Sequence, residues 1–475
     1  MKARLKLNAP TLGVIIGNRD FFPDQLVTEA RADIEQLFGE LGVTPVWVSP
    51  EETKLGGVET HAEARRCAEL FRSRRDEIDG VLVVLPNFGD EKGVADVLKM
   101  SGLDAPVLVQ AYPDDLNQLG VSRRRDGFCG KISVCNNLVQ AGIKFTLTER
   151  HVVAPLSDAF RADLDQFLRV CRVVNGLRGV RLGAVGARPG AFNTVRYSEK
   201  LLERHGVSVT TVDLSEFIAQ VGKHADDDPA ILAKLAAIHG YAPAPGVPPE
   251  KLLQMAKLGV VLEAWMQENA LDATAIQCWT SVQQNLGCNV CTLMSMMSEG
   301  FMPSACEVDV TGVLTMYAMQ LAAGSPAAIV DWNNNYGDDP DKCTLFHCGN
   351  WAKSFLPDIK IANAPILGST LGVENTYGAL EGRTPAGPLT YGRITTADAE
   401  GRIRAYVGEG ELTADELNTF GTRAVAHVSQ LQKLLQYVCR EGFEHHVVMT
   451  GSTSAAALKE AFENYLGWET YQHGE

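Results

Sequence analysis

The sequence predicts an α/β protein in which two doubly wound parallel-sheet (Rossmann-like) domains precede a mostly antiparallel β C-terminal domain with flanking helices. Its 475 residues are too many for one ordinary domain and suggest about three. Through the first two thirds of the chain, short β-branched runs alternate with amphipathic stretches, as in parallel βαβ units. Beyond this region, short strands follow one another between turn residues. We therefore predict domains at residues 1–153, 154–324 and 325–475.

The N-terminal domain is predicted from four apolar runs and the helical spacing of Gln25–Leu41. The predicted strands are Leu12–Ile16, Pro45–Val48, Val81–Leu85 and Val107–Val109. The segment Gly17–Pro23, which includes Arg19, follows the first strand. Open parallel sheets present their ligand-facing loops at such strand ends. A helix-capping turn is the alternative interpretation of this segment.

The second domain repeats the alternation of strands and helices. Its predicted strands are Arg181–Val185, Ser208–Val212 and Ala273–Ile276, and its predicted helices are Ala159–Asn175, Ser198–His205, Asn289–Met297 and Val313–Leu321. The proline-rich stretch Ala225–Pro249 is predicted to be an insertion or connection. Gly183–Gly190 resembles a dinucleotide fingerprint, but Pro189 interrupts the spacing that pyrophosphate binding requires. We therefore expect no nicotinamide cofactor.

The C-terminal domain is predicted to be an antiparallel β domain with flanking helices. Its predicted strands include Ala327–Val330, Ile359–Ile361, Leu389–Ile394 and Ile403–Val407. Helical periodicity returns only at Arg423–Cys439 and Ser454–Tyr465.

Charge and hydropathy limit the partners of the chain. It carries 58 acidic against 43 basic residues, a net charge of −15, whereas binding to nucleic-acid phosphates needs a positive face. The run Arg123–Arg125 precedes Asp126, so we predict a solvated loop, with an anion-binding loop as the alternative. No apolar stretch approaches the roughly 18 residues of a membrane span, and the first thirty residues lack a signal-peptide pattern. We expect a cytoplasmic protein without nucleic-acid or membrane partners.

The 11 cysteines are odd in number and scattered, which gives no support to a disulfide framework. Cys288 and Cys291, with Cys306 downstream, have the only zinc-like spacing. No second pair lies at a suitable distance, so we interpret these three residues as small buried hydrophobes.

Two carboxylates near residue 308 are the first candidates for chemistry. Glu307 and Asp309 precede the predicted helix Val313–Leu321, where either could simply cap the helix. Asp331 ends an apolar strand, and the interval from Glu307 fits one helix and a turn. Glu307 and Asp331 could therefore converge, and their negative charges would need a cation between them.

Histidines supply further candidate ligands. His347 follows a short strand, and the pair His445–His446 precedes another, all among apolar residues. Two carboxylates with one or two imidazoles make a hard N/O site that suits Mn²⁺, with Mg²⁺ or Co²⁺ as alternatives.

These segments resemble the L-fucose isomerase and L-arabinose isomerase family of metal-dependent aldose–ketose isomerases. The resemblance is carried by Ala305–Met316, Val330–Asp331 and Glu444–His446. It implies Glu307, Asp331 and His446 as metal ligands, with His347 as the additional ligand of arabinose isomerases. It also implies a homo-oligomer, trimer or hexamer, with active sites near subunit interfaces, in which Arg19 of a neighbouring subunit reaches the substrate.

The predicted chemistry follows from how an aldose binds a metal ion. Its C1 carbonyl and C2 hydroxyl can chelate one divalent ion, which polarises the carbonyl and stabilises an enediolate. Glu307 and Asp331 are then the general base and acid, in either assignment. An enediol path is implied by the resemblance, and a hydride shift is the alternative. His445, Trp279, Gln283 and Tyr336 are candidate substrate contacts, with core packing as the alternative for the last three.

We therefore predict an intramolecular oxidoreductase of carbohydrate metabolism, an aldose–ketose isomerase that interconverts a free aldose and ketose. A non-catalytic sugar-binding protein and a metal-dependent hydrolase are the alternatives. The sugar stays open between a deoxyhexose, a pentose and an anionic 6-substituted hexose. An anionic sugar would suit Arg19 or the run Arg123–Arg125.

Overall fold

The computed structural model describes residues 9–474. Two compact units are distinguished. One comprises Gly176–Glu463 with the residues after Gly467, and the other comprises the described residues up to Asn175 with Asn464–Gly467. The predicted domain boundaries stay a prediction.

The unit ending at Asn175 is built on a five-stranded parallel sheet of order β2-β1-β3-β4-β5. Its strands are β1 (Thr11–Ile16), β2 (Thr44–Val46), β3 (Gly80–Leu85), β4 (Val107–Ala111) and β5 (Thr146–Leu147). Its helices are α1 (Gln25–Leu41), α2 (His61–Ser73), α3 (Glu91–Ser101), α4 (Gly127–Gln140) and most of α5 (Asp158–Leu177). Apolar side chains of α1 and α5 cover one face of the sheet, and those of α2, α3 and α4 cover the other. Burial on both faces explains why the strands are continuously apolar.

The larger unit begins with a four-stranded parallel sheet of order β7-β6-β8-β9. Its strands are β6 (Arg181–Val185), β7 (Ser208–Val212), β8 (Ala273–Ile276) and β9 (Ser304–Ala305). Its helices are α6 (Glu199–Arg204), α7 (Leu214–Val221), α8 (Pro229–Tyr241), α9 (Pro249–Glu268), α10 (Ser281–Leu286), α11 (Cys291–Glu299) and α12 (Val310–Ala323). Helix α8 lies in the stretch predicted as an insertion or connection. Asp228 caps it and Pro229 is its first residue, where a missing N–H costs nothing.

A nine-stranded sheet completes the larger unit. Its strands are β10 (Ala328–Tyr336), β11 (Asp339–His347), β12 (Lys360–Asn363), β13 (Tyr377–Arg383), β14 (Gly387–Ala397), β15 (Arg402–Thr413), β16 (Thr422–His427), β17 (His446–Thr450) and β18 (Glu469–Gln472). Its helices are α13 (Pro365–Leu371), α14 (Leu431–Glu441) and α15 (Ala455–Glu460). Six strands close a ring of antiparallel neighbours in the order β10-β11-β16-β15-β14-β17. Strands β13 and β12 continue the sheet beside β16, and β18 lies beside β15.

The helix predicted over Arg423–Cys439 is wrong in its first part. Residues Thr422–His427 form β16, and α14 begins only at Leu431. The run Ala424–Ala426 pairs with β11 on one side and β15 on the other, so closure of the ring overrides its helical spacing. The predicted fold class is confirmed by two parallel sheets and one mostly antiparallel sheet. Among residues 9–474, no helix has the length and apolarity that crossing a bilayer requires.

Candidate active site

Glu307 lies in the sharp connection between β9 and α12. It and Val308 both have φ of 57°, in the left-handed region that non-glycine residues rarely adopt. Strain of this kind is often found at functional sites. The residue is only 6% exposed, and its Oε1 accepts hydrogen bonds from Trp279 Nε1 (2.8 Å) and Cys278 Sγ (3.4 Å). Burial raises the pKa of Glu307, although the neighbouring His347 and His446 oppose the rise.

The second carboxylate oxygen of Glu307 faces two imidazoles. Oε2 is buried and accepts no hydrogen bond among the described residues. It lies 3.8 Å from His446 Nε2 and 3.9 Å from His347 Nε2. Asp331 Oδ1 is 3.5 Å from the same His446 nitrogen. These separations are longer than ordinary hydrogen bonds. The donor atoms form two groups that each lie within 4.8 Å of one another and share His446: Glu307 with His347 and His446, and Asp331 with His445 and His446.

The strand register brings Asp331 and the histidines together. In the antiparallel pair β10–β17, Asp331 stands directly opposite His446. On the other side of β10, Asp331 is opposite Phe346, the residue before His347. Successive side chains of a strand point to opposite faces. Consistent with this alternation, His446 is 1% exposed while the side chain of His445 is 43% exposed.

A buried network fixes the ring of His446. Its Nδ1 lies 2.8 Å from Asp309 Oδ2, so in the neutral ring Nδ1 carries the proton and Nε2 keeps its lone pair. Arg393 binds Asp309 through two hydrogen bonds of 2.6 and 2.8 Å, and its Nε is 3.1 Å from Glu444 Oε2. Although burial acts to raise it, Arg393 and His446 hold the pKa of Asp309 below its ordinary value. Asp309 therefore orients the imidazole as a buried carboxylate.

His347 has the opposite tautomer when its ring is neutral. The backbone N–H of Cys348 donates to its Nδ1 at 2.9 Å, which leaves the proton on Nε2. Two imidazoles thus face Glu307 Oε2, one with a lone pair on Nε2 and one with an N–H.

Comparison with known proteins decides the family. The model for the fucose/sulfoquinovose isomerase N-terminal domain matches residues 13–178, and the model for the L-fucose isomerase C-terminal domain matches residues 345–473. The chain belongs to the L-fucose isomerase-like family. It is therefore an aldose–ketose isomerase.

Relatives in this family have low sequence identity to the chain, and one match extends over most of its length. The chain is 23% identical over 446 residues to the sulfoquinovose isomerase of Priestia aryabhattai, covering 93% of this chain and 94% of that protein. It is 24% identical over 311 residues to that of Alkalicoccus urumqiensis, covering 64% and 68%. It is 26% identical over 204 residues to that of Clostridium sp. (strain MSTE9), covering 42% and 45%.

The other predicted contacts of this isomerase divide into two groups. Trp279 donates to Glu307, and His445 Nε2 lies 3.8 Å from Asp331 Oδ1. Gln283 instead donates hydrogen bonds from Nε2 to the carbonyl of Cys278 (2.8 Å) and to Asn289 Oδ1. These bonds stabilise the connection after β8.

Tyr336 lies at the far end of β10, about 16 Å along the strand from Asp331. Its hydroxyl donates to the carbonyl of Glu416 at 2.9 Å. The structure therefore does not bring it to the other candidates.

The arginines proposed from sequence belong to the unit ending at Asn175. Arg19 pairs with Glu91 and stacks over Phe88, at 4.1 Å from the ring centroid. The run Arg123–Arg125 lies in a loop, where the side chains of Arg123 and Arg124 are 38% and 56% exposed as predicted, but Arg125 turns inward. Its side chain is 14% exposed, donates to the carbonyl of Pro86 at 2.9 Å and lies 3.1 Å from Glu29. The carbonyl of Pro86 and the carboxylate of Glu29 hold this guanidinium against the protein.

Three residues of the candidate active site were not predicted as such from the sequence. Arg393 and Glu444 complete the network around Asp309, and Phe192 packs its ring against His445 (5.3 Å) and His446 (5.6 Å between centroids). An arginine inside the apolar run Leu389–Ile394 was a usable signal, because buried guanidinium groups need carboxylate partners. The position of Phe192 had no comparable signal.

A group of four thiols, three buried and one half-buried, lies beside Glu307. Cys278, Cys291, Cys306 and Cys348 come from four segments, and the Sγ atoms of Cys291 and Cys348 are 4.0 Å apart. All cysteines are free, and Cys288 is not part of this group. Burial raises the pKa of Cys278 to about 12, so this thiol is neutral near pH 7. Hydrogen bonds from Cys291 and Cys306 instead lower the pKa of Cys348, whose Sγ lies 3.3 Å from His347 Nδ1, so any negative charge of this group falls on Cys348.

Proposed function

We propose that the protein is a divalent-metal-dependent isomerase that converts an aldose with an anionic substituent at C6, such as sulfoquinovose, into the corresponding ketose. The observation that supports it best is the buried, unpartnered Oε2 of Glu307, which faces the Nε2 of His446 with Asp331 beside it. A buried carboxylate oxygen without a partner is costly, and a cation would compensate it. The names of the curated relatives support the choice of sugar.

The donor set suits a hard divalent ion, for which Mn²⁺ is our proposal and Mg²⁺ or Co²⁺ are alternatives. Glu307, Asp331 and His446 would hold it, since each presents a carboxylate oxygen or an imidazole lone pair within 4 Å of another. His347 would ligate the ion only in the tautomer with a free Nε2, and its bond from Cys348 favours the other. When bound, such an ion supplies positive charge that polarises the sugar carbonyl and stabilises developing oxyanions.

The side chains divide the proton transfers between them. Glu307, which Trp279 holds through Oε1, would take the proton from C2 and return it to C1 through the carboxylate oxygen that does not bind the ion. Asp331, whose side chain is 22% exposed, is placed to move the proton between O1 and O2. The reaction moves two protons and conserves mass, as isomerisation requires. The reverse assignment of the two carboxylates is the alternative.

An aldose panel tests this proposal. The metal-free protein and its Mn²⁺, Mg²⁺ and Co²⁺ forms would be offered sulfoquinovose, glucose, L-fucose and L-arabinose in deuterated water. We expect ketose formation only with metal, highest with sulfoquinovose, and deuterium on the carbon that gains hydrogen. Glu307→Gln and Asp331→Asn should each lose about 10²–10⁴-fold in kcat. Glu381→Gln, on the outer strand β13 and paired with Lys360, is the matched control.

Two outcomes would contradict the proposal. One is absence of turnover across the panel in every metal form, which would favour a sugar-binding protein. The other is release of a fragment from the sugar, which would indicate a hydrolase. Ketose formation without deuterium uptake would instead replace the enediol path by a hydride shift.

The proposed assembly is a cytoplasmic homo-oligomer, trimer or hexamer, in which Arg19 serves a neighbouring subunit's site. Mixing inactive Arg19→Ala subunits with inactive Glu307→Gln subunits tests it, because shared sites would restore part of the activity. If the mixture stays inactive while each preparation remains an oligomer by ultracentrifugation, Arg19 does not act across an interface.

A further inference from the structure

A cavity of about 760 Å³ lies beside the candidate active site. It opens at the carboxyl ends of β6 and β7, the edge at which parallel sheets of this kind bind ligands. Its lining includes Val308 and Glu444, the chain neighbours of Glu307 and His445. The cavity therefore adjoins the backbone that carries two candidate active-site side chains.

The connection between β6 and α6 links the cavity to the imidazoles. Residues of this connection, among them Arg188, Asn193 and Arg196, line the cavity. Phe192, in the same connection, packs against both His445 and His446. A group held by this connection would thus lie next to the imidazoles of the candidate active site.

Two arginines of the lining are available for an anion. Arg188 donates from Nη1 to the carbonyl of Pro189 (3.1 Å), and Arg196 donates from Nε to the carbonyl of Asn193 (3.2 Å). In the part of the chain that the structure describes, neither arginine forms an ion pair. Each guanidinium has five N–H donors, so most of them remain free for a ligand.

The carboxylates of the lining do not cancel these charges. Glu444 is engaged by Arg393 at 3.1 Å and by the hydroxyl of Thr395 at 2.7 Å. Asp398 is exposed and forms no ion pair among residues 9–474. The lining therefore carries two arginine side chains that donate hydrogen bonds to backbone carbonyls and pair with no carboxylate among the described residues.

The arginines suggested by sequence are already neutralised. Each pairs with a carboxylate: Arg19 with Glu91, Arg123 and Arg125 with Glu29, and Arg124 with Asp126. An anionic substituent would have to displace an existing partner there, whereas it would displace none at Arg188 or Arg196.

We propose that Arg188 and Arg196 form a subsite for a tetrahedral oxyanion, which binds the sulfonate or phosphate on C6 of the substrate. The guanidinium fork matches two oxygens of such a group, and three or four oxygens can serve two arginines at once. This inference rests on the proposed function and adds the residues that select an anionic over a neutral sugar.

Kinetics with matched sugars test the subsite. Sulfoquinovose, glucose 6-phosphate and neutral glucose would be compared in the Mn²⁺ form of the wild type, Arg188→Ala, Arg196→Ala and the double variant. We expect the double variant to lose about 10–100-fold in kcat/KM for the anionic sugar that the wild type prefers, with glucose unchanged within about threefold. Arg188→Lys should restore part of the loss. Arg204→Ala, at the end of α6 and outside the lining, is the control.

Binding measured without turnover separates the two proposals. Calorimetric titration of sulfoquinovose and of methanesulfonate into Glu307→Gln protein, with and without the two arginine substitutions, reports the subsite even if no aldose is isomerised. Weaker binding of both compounds in the arginine variants supports the subsite. Equal binding, equal kinetic losses for anionic and neutral sugars, or the same effect in Arg204→Ala would overturn it. Absence of turnover with arginine-dependent binding would reject the isomerase proposal alone.

Discussion

Comparing Asp309→Asn with Glu444→Gln distinguishes the effect of orienting His446 on metal binding from the effect of the buried network on stability. Asp309 has two roles, since it accepts from His446 Nδ1 at 2.8 Å and from Arg393 at 2.6 and 2.8 Å. Glu444 shares only the second role, because it contacts Arg393 at 3.1 Å. Glu444→Gln therefore removes a carboxylate from the same arginine while leaving the bond between Asp309 and His446 intact.

The magnitudes follow from burial. The side chains of Asp309 and Arg393 are both 0% exposed, and breaking such a pair costs about 3–5 kcal/mol. Because one carboxylate remains beside Arg393 in either variant, we expect a loss near the lower limit, about 3 kcal/mol in the free energy of unfolding. Losing the carboxylate that orients an imidazole weakens metal binding about 10–100-fold, and only Asp309→Asn should do so.

The assay combines denaturant unfolding of the metal-free proteins with Mn²⁺ titration followed by electron paramagnetic resonance. Both variants should unfold at lower denaturant concentration, and only Asp309→Asn should bind Mn²⁺ more weakly. Equal Mn²⁺ affinities in the two variants would refute the reasoning that Asp309 prepares His446 as a ligand.

Three further predictions address other groups. Trp279→Phe removes the hydrogen bond that lowers the pKa of Glu307, so the acidic limb of the kcat profile should move to higher pH, and an unmoved limb would exclude Glu307 as the base. Burial lowers the pKa of Lys131 to about 8 from 10.5, so the unfolded chain binds more protons at this residue between these values, and the stability of the wild type relative to Lys131→Met should rise by roughly 3 kcal/mol from pH 8 to 10.5. Denaturant titrations of both proteins measure this difference, and a difference that does not change with pH would contradict the assignment. Gly349→Ala places a Cβ 2.5 Å from the backbone of Leu380 at a φ of 121°, so we expect a loss of about 3 kcal/mol or more in unfolding free energy, and a change under 1 kcal/mol would contradict the clash.

The candidate catalytic and metal-binding residues could be predicted from the sequence, but the residues that orient them could not. Glu307 and Asp331 could be paired because the interval between them fits one helix and a turn, and an apolar setting marked His446 as a candidate ligand. The hydrogen-bond partner of the His446 imidazole, Asp309, could not be predicted in the same way. Asp309 is also the cap of α12, and its N-cap bond to Gly312 (2.8 Å) fully explains its place in the sequence. Its contacts with Arg393 and His446 depend on strand pairing far along the chain.

Elements were mispredicted where a local pattern fitted two structures. The alanine and valine run in β16 suits a helix by spacing, and only its neighbours β11 and β15 make it a strand. The prolines and aspartates near residue 228 predicted an insertion or connection but gave no sign of a helix, although the same residue types begin α8. In both cases the decisive information is non-local or depends on the exact position of one residue.

Closure of the six-stranded ring determines how the candidate active site can unfold. Within the ring every strand has a hydrogen-bonded neighbour on each side, so β17 cannot peel away alone as an edge strand could. Amides of β10 and β17 should then exchange with solvent only through large cooperative openings. His446 would be released together with the ring, and inactivation of the enzyme by heat should be all or none.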